Sequence, residues 1–245
     1  MRCMIITTSS RLYARPAFAS ASLIEVGHPR RQEVEHFIAA VYLRRYGAQL
    51  RRFLPQFLVY RDADGELMAA VGMRLGSAGG LFVEQYLDEP AESALAACMA
   101  VPVARSGLAE VGNFAAISSG SARALIPQMT HALHNVGVRW VLFGATRGLR
   151  NTFNRLQLGT VGLVPAVQSR LRDDDTDWGS YYATQPQVVC GDVAAGHAFL
   201  LERQALRPQA TRPGIDTLPY LMGVGACVHD SANCSLSHTA MHCGC

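Results

Sequence analysis

LAEVGNFAAISSGSARALIPQMTHALHNVGVRWVLFGAT, residues 108–146, is the stretch from which the fold of this chain is read. Leu108 to Ile117 has the apolar content of a strand yet carries Gly112 in its interior. A glycine there weakens pairing unless the backbone bulges or something must come close. Ser118-Ser119-Gly120-Ser121 turns the chain into a helix predicted from about Ala122 to Asn135, with Gly137 as its stop and Pro127 as a kink or a later start. Trp140 to Thr146 is a near-continuous apolar run, the pattern of a strand covered on both faces. Together they make one βαβ unit.

Upstream, Gln32 to Arg52 reads as a helix. Val34, Phe37, Ile38, Val41 and Tyr42, then Leu50 and Phe53 after Gly47, lie close to a 3.6-residue period, with Arg44, Arg45, Arg51 and Arg52 on the other side. Phe57 to Tyr60, a turn at Asp62 to Gly65 and Leu67 to Leu75 form a hairpin. Leu81 to Leu87 alternates loosely and reads as a third strand, followed by a short helix over Ala91 to Met99. Downstream come a helix at Leu149 to Leu158, an acidic loop at Asp173 to Asp177, the cluster Trp178 to Tyr182 and a last strand at Gln187 to Cys190. The predicted class is α/β with a mixed central sheet, in a domain spanning 31–206. It is preceded by an N-terminal extension, 1–30, and followed by a Pro-rich, Cys/His-rich tail, 207–245.

Composition narrows the function classes. The chain has 245 residues, 49% hydrophobic, enough for a full core. A net charge of +3 gives no nucleic-acid-binding face by itself. Charged residues interrupt every apolar run before the ~18 to 20 residues a spanning helix needs. Met1 to Val26 lacks the continuous apolar core of an export signal, so a cytoplasmic location is expected. Cys3, Cys98 and Cys190 are scattered singly, which suits reduced thiols.

The order strand, glycine, Ser/Gly turn, helix, buried strand resembles the way GNAT-type folds hold an acyl thioester. A bulge splays two parallel neighbours, leaving backbone groups to which a pantetheine arm can bond. The turn then offers amides at a helix N-terminus to a pyrophosphate. The plain alternative is a tight connection without a ligand.

The segments "LFVEQYLDEP", "EVGNFA", "WVLFGAT", "LRNTFNRL" and "WGSYY" resemble, in this order, the thermostable hemolysin family over roughly Gln32 to Val193. That family is similar in turn to GNAT acyltransferases and to acyl-homoserine-lactone synthases. "FLVYRDADGELMAAVGMRL" resembles the synthases' first strand pair, ending in an arginine, here Arg74. "AEVGNFAAI" resembles their strand with a Glu, here Glu110, and an Arg three residues on, where this chain has Asn113. The acidic residues of their adenosylmethionine-binding loop are absent around Leu50 to Pro55. These departures speak against lactone synthesis and leave acyl transfer open.

On this reading Glu110 takes the proton of an attacking amine, and Asn113 or the backbone near Phe114 stabilises the developing oxyanion. Gly112, Phe114, the Ser118, Ser119, Gly120 and Ser121 turn, and Thr146, Arg150, Asn151 and Asn154 hold the donor. Arg74, Glu84, Gln85, Trp178 and Tyr181 receive the acceptor. For Glu110 the alternative is a strand carboxylate paired with Arg74 or Arg105; for Glu84 and Gln85 it is a solvated pair. For Trp178, Tyr181 and Tyr182 it is packing, and for Arg147 and its neighbours a solvated helix face. The co-substrate is acyl-CoA or an acyl carrier protein, with no tightly bound cofactor or metal, and the partner is a small amine. Arg44, Arg45, Arg51 and Arg52 would attract a carrier protein, a CoA phosphate or an anionic membrane surface, or simply be solvated. Cys227, His229, Cys234, His238, His242, Cys243 and Cys245 include zinc ligand types but match no zinc module. Two other functions stand beside acyl transfer: a membrane-damaging hemolysin without enzymatic activity, and a non-catalytic acyl-binding module.

Overall fold

The computed structural model describes residues 18–172 and 175–206. In chain order these form β1 (Ser20–Ile24), α1 (Arg31–Tyr46), β2 (Gln56–Arg61), β3 (Leu67–Leu75), α2 (Ala91–Met99) and β4 (Leu108–Ala116). Then follow α3 (Ser119–Asn135), β5 (Trp140–Ala145), α4 (Arg147–Leu156), β6 (Val161–Pro165), β7 (Gln187–Asp192) and α5 (Val193–Ala205). The seven strands make one sheet in the order β1-β2-β3-β4-β5-β7-β6. Only β4 and β5 run parallel; every other neighbouring pair is antiparallel. This is the mixed α/β sheet expected from the sequence.

Alternation along the strands divides the core between two layers of helices. Leu58, Tyr60, Val71, Val111 and Phe143 point to one face, where they meet Leu125, Met129 and Leu133 of α3, Phe153 of α4 and Val193 at the start of α5. Phe57, Val59, Ala70 and Ala115 point to the other and are covered by Val34, Ile38 and Tyr42 of α1. On that same face Leu108, Leu142, Val188 and Cys190 are covered by Leu95 of α2 and by Val83 and Tyr86.

Local chemistry sets the boundaries. The β2–β3 turn is held by Asp62, whose Oδ1 accepts the amides of Asp64 and Glu66, with Gly65 at φ +85°. α1 stops at Gly47, in the left-handed region at φ +69°, rather than continuing to Arg52; the Gly47 amide bonds back to Leu43. Leu50 and Phe53 are therefore not on the helix but on the connection that crosses the sheet. Leu81 to Leu87 is not a strand. Phe82–Tyr86 is a 3-10 turn, because Glu84 accepts the Leu81 amide at 2.7 Å and the next amides turn inward. α3 begins three residues earlier than predicted, with Ser118 as its N-cap accepting the Ser121 amide at 3.0 Å, and Pro127 lies within it. Three elements went unread. β1, inside the segment taken as an extension, pairs with β2; β6 pairs with β7; and α5 is capped by Asp192, which accepts the Ala195 amide at 2.8 Å. Among the described residues no helix is long and apolar enough to cross a membrane. The Cys/His cluster of the tail, and Asp173 and Asp174 of the acidic loop, lie outside the described residues.

Candidate functional site

The parallel ladder of β4 and β5 is short. Leu108, Ala109 and Glu110 pair with Trp140, Val141 and Leu142, and beyond Glu110 and Leu142 the two strands have no register partners in each other. β5 continues against β7 from Phe143 to Ala145, while β4 continues against β3. The sheet therefore opens as a V with Glu110 at its closed end.

The cause is a bulge on β4. Ala115 pairs with Ala70 and Gly112 with Gly72, so Asn113 and Phe114 together face the single residue Val71. Asn113 takes the left-handed conformation, φ +48°, which asparagine tolerates better than most side chains. Its Oδ1 accepts the backbone amide of Leu54 at 2.9 Å. The bulge thus sits one residue past the expected Gly112. Gly112 itself is regularly paired and serves the close approach of Leu54, whose Cδ1 would lie 3.1 Å from a Cβ there.

A cavity of about 490 Å³ fills the opening. Val71, Val111, Met129, Phe143 and Phe153 from the α3/α4 face line it, and so do Phe53, Leu54, Phe82, Glu110 and Trp178 from the α1 face. Residues of both layers border one space, so the cavity passes through the sheet at the splay. Glu110 is 2% exposed. Its two carboxylate oxygens accept the amides of Phe82 and Val83 at 2.7 and 2.9 Å, an arrangement neither sequence reading of this residue contained. Burial outweighs these bonds and the nearby Arg74 charge and pushes the carboxyl up to about 7.

The remaining predicted residues divide by position. Gly112, Asn113, Phe114, Thr146, Arg74, Gln85, Trp178 and Tyr181 line the cavity with Glu110. Gln85 is also a structural tie, its Oε1 accepting the Arg172 amide at 2.9 Å. Trp178 and Tyr181 form an aromatic wall with Tyr46 and Phe82, so packing and lining coincide. Glu84 does not face the cavity. It is held by Arg105 at 2.7 Å, accepts the first amide of α2 at 3.0 Å, and is drawn down to about 2, mainly by the Arg105 guanidinium. Ser118, Ser119, Gly120 and Ser121 sit at the first turn of α3, beside Ala122, which lines the cavity. The amides of Ser119 and Gly120 meet no acceptor among the described residues. On α4 the expected donor residues Arg150, Asn151 and Asn154 do not border the cavity. Asn151 and Asn154 are exposed and Arg150 bonds the carbonyl oxygens of Ala145 and Gln185, while Gly148, Leu149, Thr152 and Phe153 border the cavity. Thr146 caps α4 through the Leu149 amide.

Met129, Phe143, Phe153, Phe53 and Leu54 line the cavity without having been site candidates in the sequence. Each has the signature of an ordinary core residue, and only the opening of the sheet turns core into lining.

Solved synthases share this fold. BjaI, a CoA-dependent acyl-homoserine lactone synthase solved with SAM and isopentyl-CoA, is 10% identical over 79% of this chain and 94% of its own, with a TM-score of 0.52. The acyl-homoserine lactone synthase LasI is 12% identical over 78% and 98%, with a TM-score of 0.52. FeeM, an N-acyl amino acid synthase from uncultured soil microbes, is 14% identical over 73% and 97%, with a TM-score of 0.50. At these identities the structural likeness shows the fold alone. No curated protein matches the sequence. The family model described as thermostable hemolysin matches residues 24–197, and the chain belongs to that family.

Proposed function

We propose that this chain is an N-acyltransferase that moves an acyl group from a CoA or carrier-protein thioester to a small amine in the cytoplasm. One observation carries the reading: the cavity runs through the sheet where β4 and β5 part, with a buried carboxylate at the closed end of the V. An extended acyl-pantetheine arm fits the open ladder, its chain against Met129, Phe143 and Phe153. The amides at the start of α3 suit the donor's phosphates. The acceptor then approaches from the α1 face, beside Glu110.

In chemical terms the ammonium of the acceptor gives one proton to Glu110. Two of the carboxylate's roughly four lone-pair sites are taken by Phe82 and Val83, so acceptor capacity remains. The freed nitrogen lone pair forms a C–N bond at the thioester carbonyl. The C–S bond then breaks, and the second nitrogen proton leaves with the thiolate as free thiol. Asn113 Nδ2 is suited to donating to the transient oxyanion, since Oδ1 is fixed by Leu54.

The test is incubation of purified protein with acyl-CoAs of several chain lengths and a pool of amines, following thiol release and product mass. Amine-dependent thiol release that Glu110→Ala lowers sharply is the expected result. Bilayer leakage without any donor would favour direct lysis instead, and donor binding without turnover a non-catalytic module.

A further inference from the structure

The acceptor end of the cavity contains a guanidinium, that of Arg74, which acts electrostatically on Glu110 without an ion-pair contact. Arg74 lies opposite Glu110 in the β3–β4 register, so the two side chains leave the sheet on the same face, at the closed end of the V. Arg74 lines the cavity and donates to the Gly80 carbonyl oxygen at 2.7 Å. No carboxylate among the described residues is ion-paired with it. The neighbouring arginines differ: Arg105 is clasped by Glu84 and Glu92, and Arg170 by Asp88. The Arg74 guanidinium, with five donors in a planar fork, therefore has capacity left on the cavity side. Phe82, Trp178 and Tyr181 line the same space with aromatic surface.

We infer that the acceptor is an amino acid-like molecule, whose carboxylate Arg74 binds, whose amine faces Glu110 and whose apolar side chain lies against Phe82 and Trp178. The inference rests on the acyl-transfer reading and names its acceptor class. An amino acid carries its ammonium and carboxylate on one carbon, and adjacent cross-strand side chains, roughly 5 Å apart at Cβ, match that separation. A donor phosphate is the competing anion. It is disfavoured because the α3 amides stand at the far end of β4, roughly 20 Å along the strand from Glu110.

The experiment compares amino acids with the amines that lack only the carboxylate, such as tyrosine with tyramine and leucine with isoamylamine, in the full-length protein and in Arg74→Gln. The expected wild-type preference for the amino acid is about 10- to 100-fold in kcat/KM, the range of a charge-assisted contact. In Arg74→Gln that preference disappears through acceptor KM, while KM for acyl-CoA stays near wild type. Equal use of both acceptors by the wild type overturns the inference and leaves acyl transfer standing. A rise in donor KM alone overturns it by assigning Arg74 to a phosphate. Should no acceptor release thiol, the acyl-transfer reading fails. Titration of the amino acids against Trp fluorescence then decides separately, since binding that Arg74→Gln abolishes keeps the carboxylate site and no binding removes it.

Discussion

The backbone amide of Leu54 donates to the side chain of Asn113 at 2.9 Å, joining the connection after α1 to the bulge that opens the sheet. Gly72 makes room for the pair, since a Cβ there would lie 3.0 Å from Asn113 Oδ1 and 3.0 Å from Leu54 Cβ.

Replacing Asn113 tests this joint. Asn113→Ala removes the bond and places alanine at φ +48°, so a loss of about 1–3 kcal/mol in a denaturant titration is expected. Asn113→Gly keeps the conformation accessible and loses only the bond, so it is the milder variant. Equal losses in the two would mean that the left-handed backbone costs nothing here.

Glu110 governs two pH responses. As the proposed base it would act when ionised, so kcat/KM is expected to rise with pH through about 7. In Glu110→Gln that inflection is absent and the rate falls about 10²- to 10⁴-fold. Its folded-state pKa lies above the ordinary 4.5, so the protonated form favours folding. That stabilisation is complete below pH 4.5 and is lost as pH rises to about 7. The change attributable to this group is on the order of 3 kcal/mol. Parallel urea titrations of wild type and variant across this window isolate it.

Glu84 works in the opposite sense. Held near 2 by Arg105, it stabilises the fold above pH 4.5, and this contribution drains away as pH falls toward 2. Arg105→Ala breaks the links to Glu84, Glu92, Gly76 and Gly79 together. A loss of about 2 kcal/mol or more at pH 7 is expected, with much less difference from wild type in acid. Thermal melts at both pH values check it.

Ser118→Ala removes the α3 cap. The structural effect is about 1 kcal/mol. If the α3 turn holds the donor's phosphates, KM rises for acyl-CoA but not for an acyl thioester of N-acetylcysteamine, which has none. Equal effects on the two donors would confine Ser118 to capping.

Met129→Trp fills the apolar limb beneath α3. Long-chain donors should lose about 10- to 200-fold in kcat/KM relative to short ones. A uniform loss across chain lengths would show that the chain lies elsewhere.

Much of the fold was legible because its signals are local. The run at Trp140 to Ala145, the hairpin around Asp62 to Gly65 and the α2 span at Ala91 to Met99 are written in periodicity and turn chemistry. The elements that went wrong depend on partners distant in sequence. Phe82–Tyr86 becomes a 3-10 turn because its amides meet Glu110, some thirty residues on. β1 and β6 are short edge strands, recognisable only by the strands they pair with. α5 did carry a readable signal, Asp192 ahead of an apolar stretch.

For the site, the sequence by itself determined which residue types are available: a carboxylate and an asparagine on one strand, a Ser/Gly turn after it, and an arginine closing the hairpin before it. Tertiary structure alone decided their arrangement. Whether β4 parts from β5, whether Glu110 meets amides or an arginine, and which face of α4 borders the cavity depend on contacts between segments tens of residues apart. The physical reason is that a strand's propensity does not record its neighbour, and the opening exists only where two strands cease to pair.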